Sequence, residues 1–220
     1  MSNIIITNED CIDLLRRTPD NFYDLAICDP PYGINVDDRD DHGKKRSLKS
    51  ASKSKNYEKK GWDSEVPNEF YFKELFRVSK NQIIWGINYY PYDFLSGGRI
   101  FWDKGTAEGF SSGDGELAFC SKTNTIRKVS ITWNGMIQHD MKNKEVRIHP
   151  TQKPVKLYKW ILHHYAKEGD KILDTHLGSG SIGIACHDLK FDLTACELDK
   201  DYYKAALLRL QQHQSQLKMF

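Results

Sequence analysis

Short apolar runs alternate along the chain with longer segments whose apolar residues recur at helical spacing. The apolar runs predict strands at residues 4–7, 23–28, 82–86, 99–103, 117–121, 171–175 and 192–197. The amphipathic segments predict helices at 11–17, 68–79, 155–166, 182–189 and 200–214. This alternation indicates an α/β protein with a mainly parallel sheet and helices on both faces. Because ligands of such sheets bind beyond the carboxyl ends of the strands, Asp29, Asp174 and Glu197 are candidate site residues.

The composition narrows the class of protein. The chain has 220 residues, of which 39% are hydrophobic and 28% charged, and this length fits one domain. No apolar run approaches the roughly 20 residues that span a bilayer, and we find no signal peptide, so no membrane partner is expected. Five scattered cysteines without a C-x-x-C pair favour reduced thiols in a cytoplasm and argue against a zinc site.

The net charge of +2, taken alone, argues against a protein that binds nucleic acid. The charge is segregated, however. Residues 44–60 hold eight lysines and arginines against one glutamate, a local charge of +7, directly after an acidic run at 37–41. Because the segment is rich in serine and lacks an apolar period, we predict a mobile loop over residues 37–63. Its lysines would clamp phosphates or would only promote solubility.

A glycine-rich turn follows the strand predicted at 171–175. Gly178, Gly180 and Gly183 satisfy G-x-G-x-x-G between that strand and a helix, and Glu197 ends the next strand 19 positions after Gly178. Glycines let the backbone approach a ligand closely, and an acid at this place accepts hydrogen bonds from ribose hydroxyls. The pattern fits a dinucleotide site, an S-adenosylmethionine (AdoMet) site, or simply a tight strand-to-helix turn beside a solvated glutamate.

Two prolyl motifs add candidate chemistry. The segment at 29–32, DPPY, follows a predicted strand, and its prolines make a stiff turn that presents the Asp29 carboxylate, free carbonyls and the Tyr32 ring. Such a turn suits a planar group that carries an NH2, or it is an ordinary rigid exit from a strand. The segment at 149–154, HPTQKP, places polar groups and a cation at a helix start, which suits a carboxylate or is only a proline-initiated helix.

Together the three motifs resemble those of the amino-group DNA methyltransferases. DPPY after an apolar strand, HPTQKP before a helix and LDxxxGSGS after the next strand come in the order of the β class, a circularly permuted arrangement. The resemblance extends from Asp10 to about Leu210. It implies a Rossmann-like AdoMet-dependent methyltransferase fold in one domain at 1–220, and methyl transfer from AdoMet to the exocyclic amine of a DNA base.

The resemblance also implies roles for individual residues. The AdoMet-binding residues would be Asp10, Cys11, Asp29, Thr151, Lys153, Asp174, Gly178, Ser179, Gly180 and Glu197. Among them Glu197 would hold the ribose, and Thr151 and Lys153 the methionine carboxylate. As catalytic residues, Asp29 and the Pro30 carbonyl would accept hydrogen bonds from the target NH2, and Tyr32 would stack on a base that has left the duplex.

Two features of the motifs bear on activity and on the target base. Family members usually have Pro-Phe after the aspartate of the glycine motif, where this chain has Thr175 and His176. Because of this departure, a catalytically decayed relative that only binds DNA is an alternative function for the chain. Asp at the start of DPPY is typical of adenine-N6 enzymes, whereas cytosine-N4 enzymes more often carry Ser. We therefore expect adenine N6 as the target, with cytosine N4 as the alternative.

The segment at 123–148 occupies the place of a target-recognition region, between the last predicted strand and HPTQKP. Double-stranded DNA is the expected partner, and the candidate DNA-binding residues are Lys44, Lys45, Arg46, Arg127, Lys128 and Trp133. The segment is short, which leaves open a homodimer or another partner that supplies contacts. A phage-type or orphan methylase and one half of a restriction-modification pair both fit such a bacterial or phage-encoded cytoplasmic enzyme.

Overall fold

Strands and helices alternate as predicted in a computed structural model that describes residues 2–36, 59–106, 113–134 and 137–216. The strands are β1 (Ile4–Thr7), β2 (Leu25–Cys28), β3 (Gln82–Trp85), β4 (Arg99–Asp103), β5 (Gly115–Cys120), β6 (Ile126–Ser130), β7 (Trp133–Asn134), β8 (Ile137–Gln138), β9 (Lys171–Asp174) and β10 (Asp192–Cys196). The helices are α1 (Cys11–Arg17), α2 (Glu69–Val78), α3 (Val155–Tyr165), α4 (Ser181–Leu189) and α5 (Lys200–Ser215). Every predicted element is present, with bounds that differ by at most two residues.

Eight of the described strands form one sheet in the order β1-β10-β9-β2-β3-β5-β4-β6. β5 pairs antiparallel with β3 and β4, and the other neighbouring pairs are parallel. The chain leaves β9 through α4 toward β10 on one side, and leaves β2 through α2 toward β3 on the other. The strand order therefore reverses between β9 and β2, which is where open α/β sheets bind ligands.

Helices cover both faces of the sheet, as predicted. On one face α3 packs on α4 and buries Leu157 and Ile161 against the strands. On the other face α1 packs on α2, and Leu15 and Leu75 are fully buried there. The two apolar layers hold the central strands in place, so the residues at their carboxyl ends are rigidly positioned. Within the described ranges, no helix combines the length and the apolar character needed to cross a bilayer.

The segment at 123–148 is not wholly outside the sheet, contrary to prediction. Its residues Ile126–Ser130 form β6, the edge strand that pairs with β4. The strand was missed because its pattern is polar: Val129 is its buried residue, whereas Ile126 is 73% exposed. β7 and β8 then form a small separate hairpin. The part of the segment that lies beyond the main sheet therefore begins only at Ile131.

Candidate active site

Two cavities meet at the switch point of the sheet. The larger has a volume of about 620 Å³ and lies beside the glycine-rich turn, and the smaller has about 370 Å³ and lies beside DPPY. The residues that line both are Asp29, Pro31, Trp62, Thr151, Gln152 and Lys153. Both volumes are in the range of ligand sites in proteins, which is about 300–1,000 Å³. The Asp29 turn and the HPTQKP segment thus form a common wall between two ligand-sized spaces.

Glu197 is fixed in the larger cavity by the glycine-rich turn itself. Its carboxylate accepts hydrogen bonds from the backbone N–H of Gly178 at 2.8 Å and of Asp199 at 2.9 Å. A carboxylate has about four acceptor positions, so two remain for a ligand. Burial raises the pKa of Glu197, with the hydrogen bonds acting against that rise.

Most of the predicted cofactor residues line the larger cavity: Asp10, Cys11, Asp29, Thr151, Lys153, Gly178, Ser179 and Glu197. Asp174 and Gly180 lie behind this lining. Asp174 is 1% exposed and accepts a hydrogen bond from the backbone of His176; burial, then the charges of Asp29 and Glu197, raise its pKa to about 8. Gly180 caps α4 with φ +71 and packs on Ala206 of α5.

Thr175 and His176 stand at the positions where the family that the motifs resemble usually has Pro-Phe. Both line it, and the Tyr71 hydroxyl, the Thr175 hydroxyl and Nδ1 of His176 form a hydrogen-bonded chain with distances of 2.7 and 2.9 Å. Burial lowers the pKa of His176 to about 4, so the ring is neutral near pH 7. A flat, uncharged ring therefore stands where the family has Phe.

The DPPY turn presents Asp29 with both carboxylate oxygens engaged. Oδ1 accepts the Tyr32 hydroxyl at 2.7 Å, and Oδ2 is paired with the Lys153 ammonium at 2.5 Å. The Pro30 carbonyl accepts the Tyr90 hydroxyl at 3.0 Å, which leaves one of its lone pairs free. The turn therefore holds two oxygen acceptors at the wall between the cavities.

Asp63, which sequence reasoning missed, ties this turn in place. It is 1% exposed, and its carboxylate accepts the backbone N–H groups of Tyr32 at 2.7 Å, Gly33 at 3.0 Å and Val36 at 2.9 Å. Three charge-assisted bonds to one short segment leave it little freedom. The only signal in the sequence was an acid next to Trp62, and nothing in that pattern indicates a partner 31 positions away.

Lys153, which the resemblance assigns to the methionine carboxylate, lies among acidic side chains of the protein. Its side chain is 2% exposed, and its ammonium contacts Asp29, Glu116 at 2.9 Å and the Tyr32 hydroxyl at 3.1 Å. The three donors of the ammonium are thereby used. Glu116 also binds Lys104, so a cluster of alternating charges backs the DPPY turn.

The charged groups in this cluster shift one another's pKa values. Burial raises the pKa of Asp29 although Lys153 acts to lower it. For Glu116 burial acts in the same sense, but Lys153 and Lys104 outweigh it and lower the pKa to about 2. Burial alone would lower the pKa of Lys153, and the two carboxylates raise it instead. Lys153 therefore stays charged at neutral pH.

Tyr32 is held by close packing on a glycine. Gly86 follows β3 with φ +78, and a Cβ added there would lie 2.2 Å from the Tyr32 ring. Tyr89, one turn later, stacks on the same ring with centroids 4.9 Å apart and planes 16° apart. Both Tyr32 and Tyr89 line the smaller cavity, which is therefore walled by flat aromatic rings.

We expect Gly86→Ala to displace Tyr32. The added methyl group overlaps the ring, and a positive φ costs an alanine about 1–2 kcal/mol by itself. The free energy of unfolding, measured with urea, should fall by about 2 kcal/mol or more. Gly169→Ala is the matched control, since Gly169 has φ +86 and nothing within 4 Å. Equal losses in the two variants would mean that contact with Tyr32 adds nothing.

The predicted DNA-binding residues lie in three different settings. Lys44, Lys45 and Arg46 lie outside the described residues, as does most of the predicted loop at 37–63. Arg127 and Lys128 are on β6 with exposed side chains, and Lys128 pairs with Asp103 at 2.7 Å. Trp133 is 6% exposed and donates its indole N–H to the Gln152 carbonyl. The indole N–H is therefore already used within the protein, and the Trp133 ring lines the smaller cavity.

Parts of the chain are similar in sequence to known DNA methyltransferases. Residues 111–208 match a family model described as DNA methylase. A stretch of 68 residues, 31% of the chain, is 37% identical to type II methyltransferase M.HpaI of Haemophilus parainfluenzae and covers 22% of that protein. A stretch of 88 residues, 40% of the chain, is 34% identical to type II methyltransferase M2.DpnII of Streptococcus pneumoniae and covers 32% of it. The matched segments thus span less than a third of these relatives.

The fold extends the likeness over nearly the whole chain. The M1.HpyAVI–SAM complex matches with a TM-score of 0.55 at 19% identity, over 94% of this chain and 100% of that one. The PvuII DNA methyltransferase, described as cytosine-N4-specific, matches with a TM-score of 0.57 at 13% identity, over 95% of this chain and 86% of that one. At such identities the match shows a shared Rossmann-like methyltransferase fold. The family model, the curated relatives and this fold confirm the resemblance that the three motifs predict: the chain is similar to DNA methyltransferases in part of its sequence and shares their fold.

Proposed function

We propose that this chain is an AdoMet-dependent DNA methyltransferase that acts on the exocyclic amine of a base, with adenine N6 as the target. The observation that carries the proposal is the junction of the two cavities at Asp29. A transferase must bring a donor and an acceptor to one point from two sides. The larger cavity with Glu197 suits the donor, and the smaller cavity with its aromatic walls suits a flat acceptor.

The lining of the larger cavity fits AdoMet. Five carboxylates line it against three lysines, and two of those lysines, Lys60 and Lys153, are already paired with carboxylates. The negative balance suits a cationic ligand. The indole N–H of Trp62 is buried at the wall and has no partner among the described residues, so a donor is ready for a ligand acceptor. Glu197 would hold the ribose hydroxyls, and Asp10 and Cys11 would border the adenine.

The acceptor side follows from the DPPY turn. When bound, AdoMet supplies a methyl group on a positively charged sulfur. The amine that receives it is a poor nucleophile because its lone pair is shared with the ring. Asp29 and the Pro30 carbonyl would accept hydrogen bonds from the two N–H groups of the amine. These bonds localise the nitrogen lone pair and stabilise the positive charge that develops on the nitrogen. Asp29 would then take the proton that the methylated nitrogen loses, and no covalent intermediate on the protein is needed.

The choice of adenine over cytosine rests on the first residue of DPPY, which is Asp29. Cytosine N4 remains the second candidate because one structural neighbour, the PvuII enzyme, is cytosine-N4-specific and shares the fold. Both bases present an NH2 beside a ring nitrogen, so both satisfy the two acceptors of the turn. Arg127 and Lys128 on β6 would contact phosphates of duplex DNA.

Methylation of plasmid DNA tests the proposal directly. We expect the purified chain to incorporate the methyl group of labelled AdoMet into unmethylated duplex DNA, and nucleoside analysis to show N6-methyladenine. Modified-base sequencing of the same product reports the sequence context. If the product were N4-methylcytosine, the proposed methyl transfer would stand but the target base would be cytosine. AdoMet binding without any transfer to DNA would contradict the proposed activity.

A further inference from the structure

The cluster behind the DPPY turn has a member that no motif accounts for. Glu116 lies at the start of β5, and its two oxygens divide between two lysines: Oε1 contacts Lys104 at 2.5 Å and Oε2 contacts Lys153 at 2.9 Å. Oε2 also lies 3.0 Å from the Tyr32 hydroxyl, whose single hydrogen Glu116 shares with Asp29 at 2.7 Å. Glu116 thus touches both groups that hold Asp29.

Glu116 reaches this place because β5 is antiparallel to its neighbouring strands. β5 is antiparallel to β3 and β4, so its first residues lie at the sheet edge where β3 ends. Lys153 arrives from the segment before α3, and Asp29 from the end of β2. Three distant parts of the chain therefore place two carboxylates on either side of one buried ammonium.

The charges in this arrangement explain what Glu116 does. A buried lysine paired with Asp29 alone would cancel the negative charge that the developing cation on the amine requires. Glu116 shares Lys153, so the inner three groups carry a net charge of −1. Lys104 compensates Glu116 from the solvent side, where its side chain is 22% exposed against 2% for Lys153. Lys104 is therefore screened more strongly.

We propose that Glu116 is a positioning residue that shares the Lys153 ammonium with Asp29, so that Asp29 keeps a fixed orientation and the three groups together keep a net negative charge beside the target amine. This inference rests on the proposed function, because it deepens the role of the same site. Glu116 acts through Lys153 and Tyr32.

Within the ranges that the structure describes, four other titratable groups face Asp29. They are Tyr32 in its own turn, Tyr90 after β3, Tyr158 on α3 and Asp174 at the end of β9. Burial raises the pKa values of the three tyrosines well above their usual range, so they stay neutral. Asp174 titrates in an accessible range, and a measurement that resolves individual carboxyl groups separates it from Asp29.

The test is the titration of the Asp29 carboxyl carbon by 13C NMR in the ligand-free protein. In Glu116→Gln we expect the pKa of Asp29 to fall by about one unit or more, because a nearby like charge is removed while Lys153 stays. In Lys104→Gln we expect it to rise, since a positive charge is removed. A general loosening of the site would not shift the two variants in opposite directions. Glu168→Gln, an exposed glutamate far from the cluster in sequence, is the control and should leave the titration unchanged.

Activity gives the second readout. Glu116→Gln should lower kcat about tenfold with DNA, move the acid limb of the pH profile of kcat to lower pH, and leave the Kd of AdoMet within twofold. Unchanged titration of Asp29 in both variants, or a shift in the same direction, would overturn the inference. Failure of the proposed function is a separate result, because it would show as absence of methyl transfer by the unmodified chain while the titrations still report on the cluster.

Discussion

Asp29→Asn is expected to lower the rate of methyl transfer to DNA by about 10²–10³-fold, the scale of losing one preorganised group that stabilises charge in a transition state. Asparagine keeps the size of the side chain but offers one oxygen and an NH2 group. That NH2 would confront either the target amine or the Lys153 ammonium, both of which are donors. The reaction loses an acceptor at the nitrogen where positive charge develops.

The measurement is single-turnover transfer from labelled AdoMet, so that product release does not mask the chemical step. AdoMet affinity, measured by calorimetry, should change by no more than a few-fold, since Glu197 and the glycine-rich turn are untouched. Asp93→Asn is the matched control, because Asp93 is exposed and lies on a 3₁₀ turn away from the cavities. A variant at position 29 that retains more than a third of the rate would remove Asp29 from the proposed chemistry.

The features that sequence reasoning located are those carried by local pattern. β2, β9 and β10 are fully or mostly buried strands. β2 and β10 end directly before Asp29 and Glu197, and β9 ends on Asp174, so these three residues could be assigned to one edge of the sheet. Parallel strands point their carboxyl ends the same way, which makes this step independent of the details of packing. The two cavities at that edge follow from the same rule.

The features that it missed depend on contacts between distant segments. Glu116 needs the reversed direction of β5, and Asp63 needs the return of the chain from the segment beyond Val36. Neither has a motif of its own. Lys153 shows that a motif does not fix the direction of a side chain. Its ammonium is oriented by two partly buried carboxylates, which attract it more strongly than an open cavity does.

Glu197→Gln is the second variant for which we expect a large effect, in this case on cofactor binding. The carboxylate already accepts two backbone N–H bonds and has room for two ribose hydroxyls, whereas an amide has one oxygen for all of them. Loss of charged hydrogen bonds worth about 1.5–3 kcal/mol should weaken AdoMet binding about 10- to 100-fold. Isothermal calorimetry gives the Kd, and Glu168→Gln, an exposed change of the same kind, should leave it unaltered.

The pH dependence of binding has a definite sign. The ionised form of Glu197 accepts hydrogen bonds, so affinity should be highest above its pKa and fall as the pH drops through that value. Because burial raises the pKa, the loss should begin at a higher pH than for an exposed glutamate. The Gln variant has no such group, and this contribution to the pH profile should be absent from it.

An analogue of the cofactor product that lacks a ribose hydroxyl separates this role from a loosened turn, since Glu197 also supports Gly178 and Asp199. The unmodified chain should bind the deoxy analogue more weakly than the parent compound, because a buried acceptor is left without its donor. The Gln variant should distinguish the two ligands much less. Comparing the ratio of the two Kd values in each protein isolates the contact between Glu197 and the ribose hydroxyl. If both proteins discriminated equally, Glu197 would support the turn without touching the ribose.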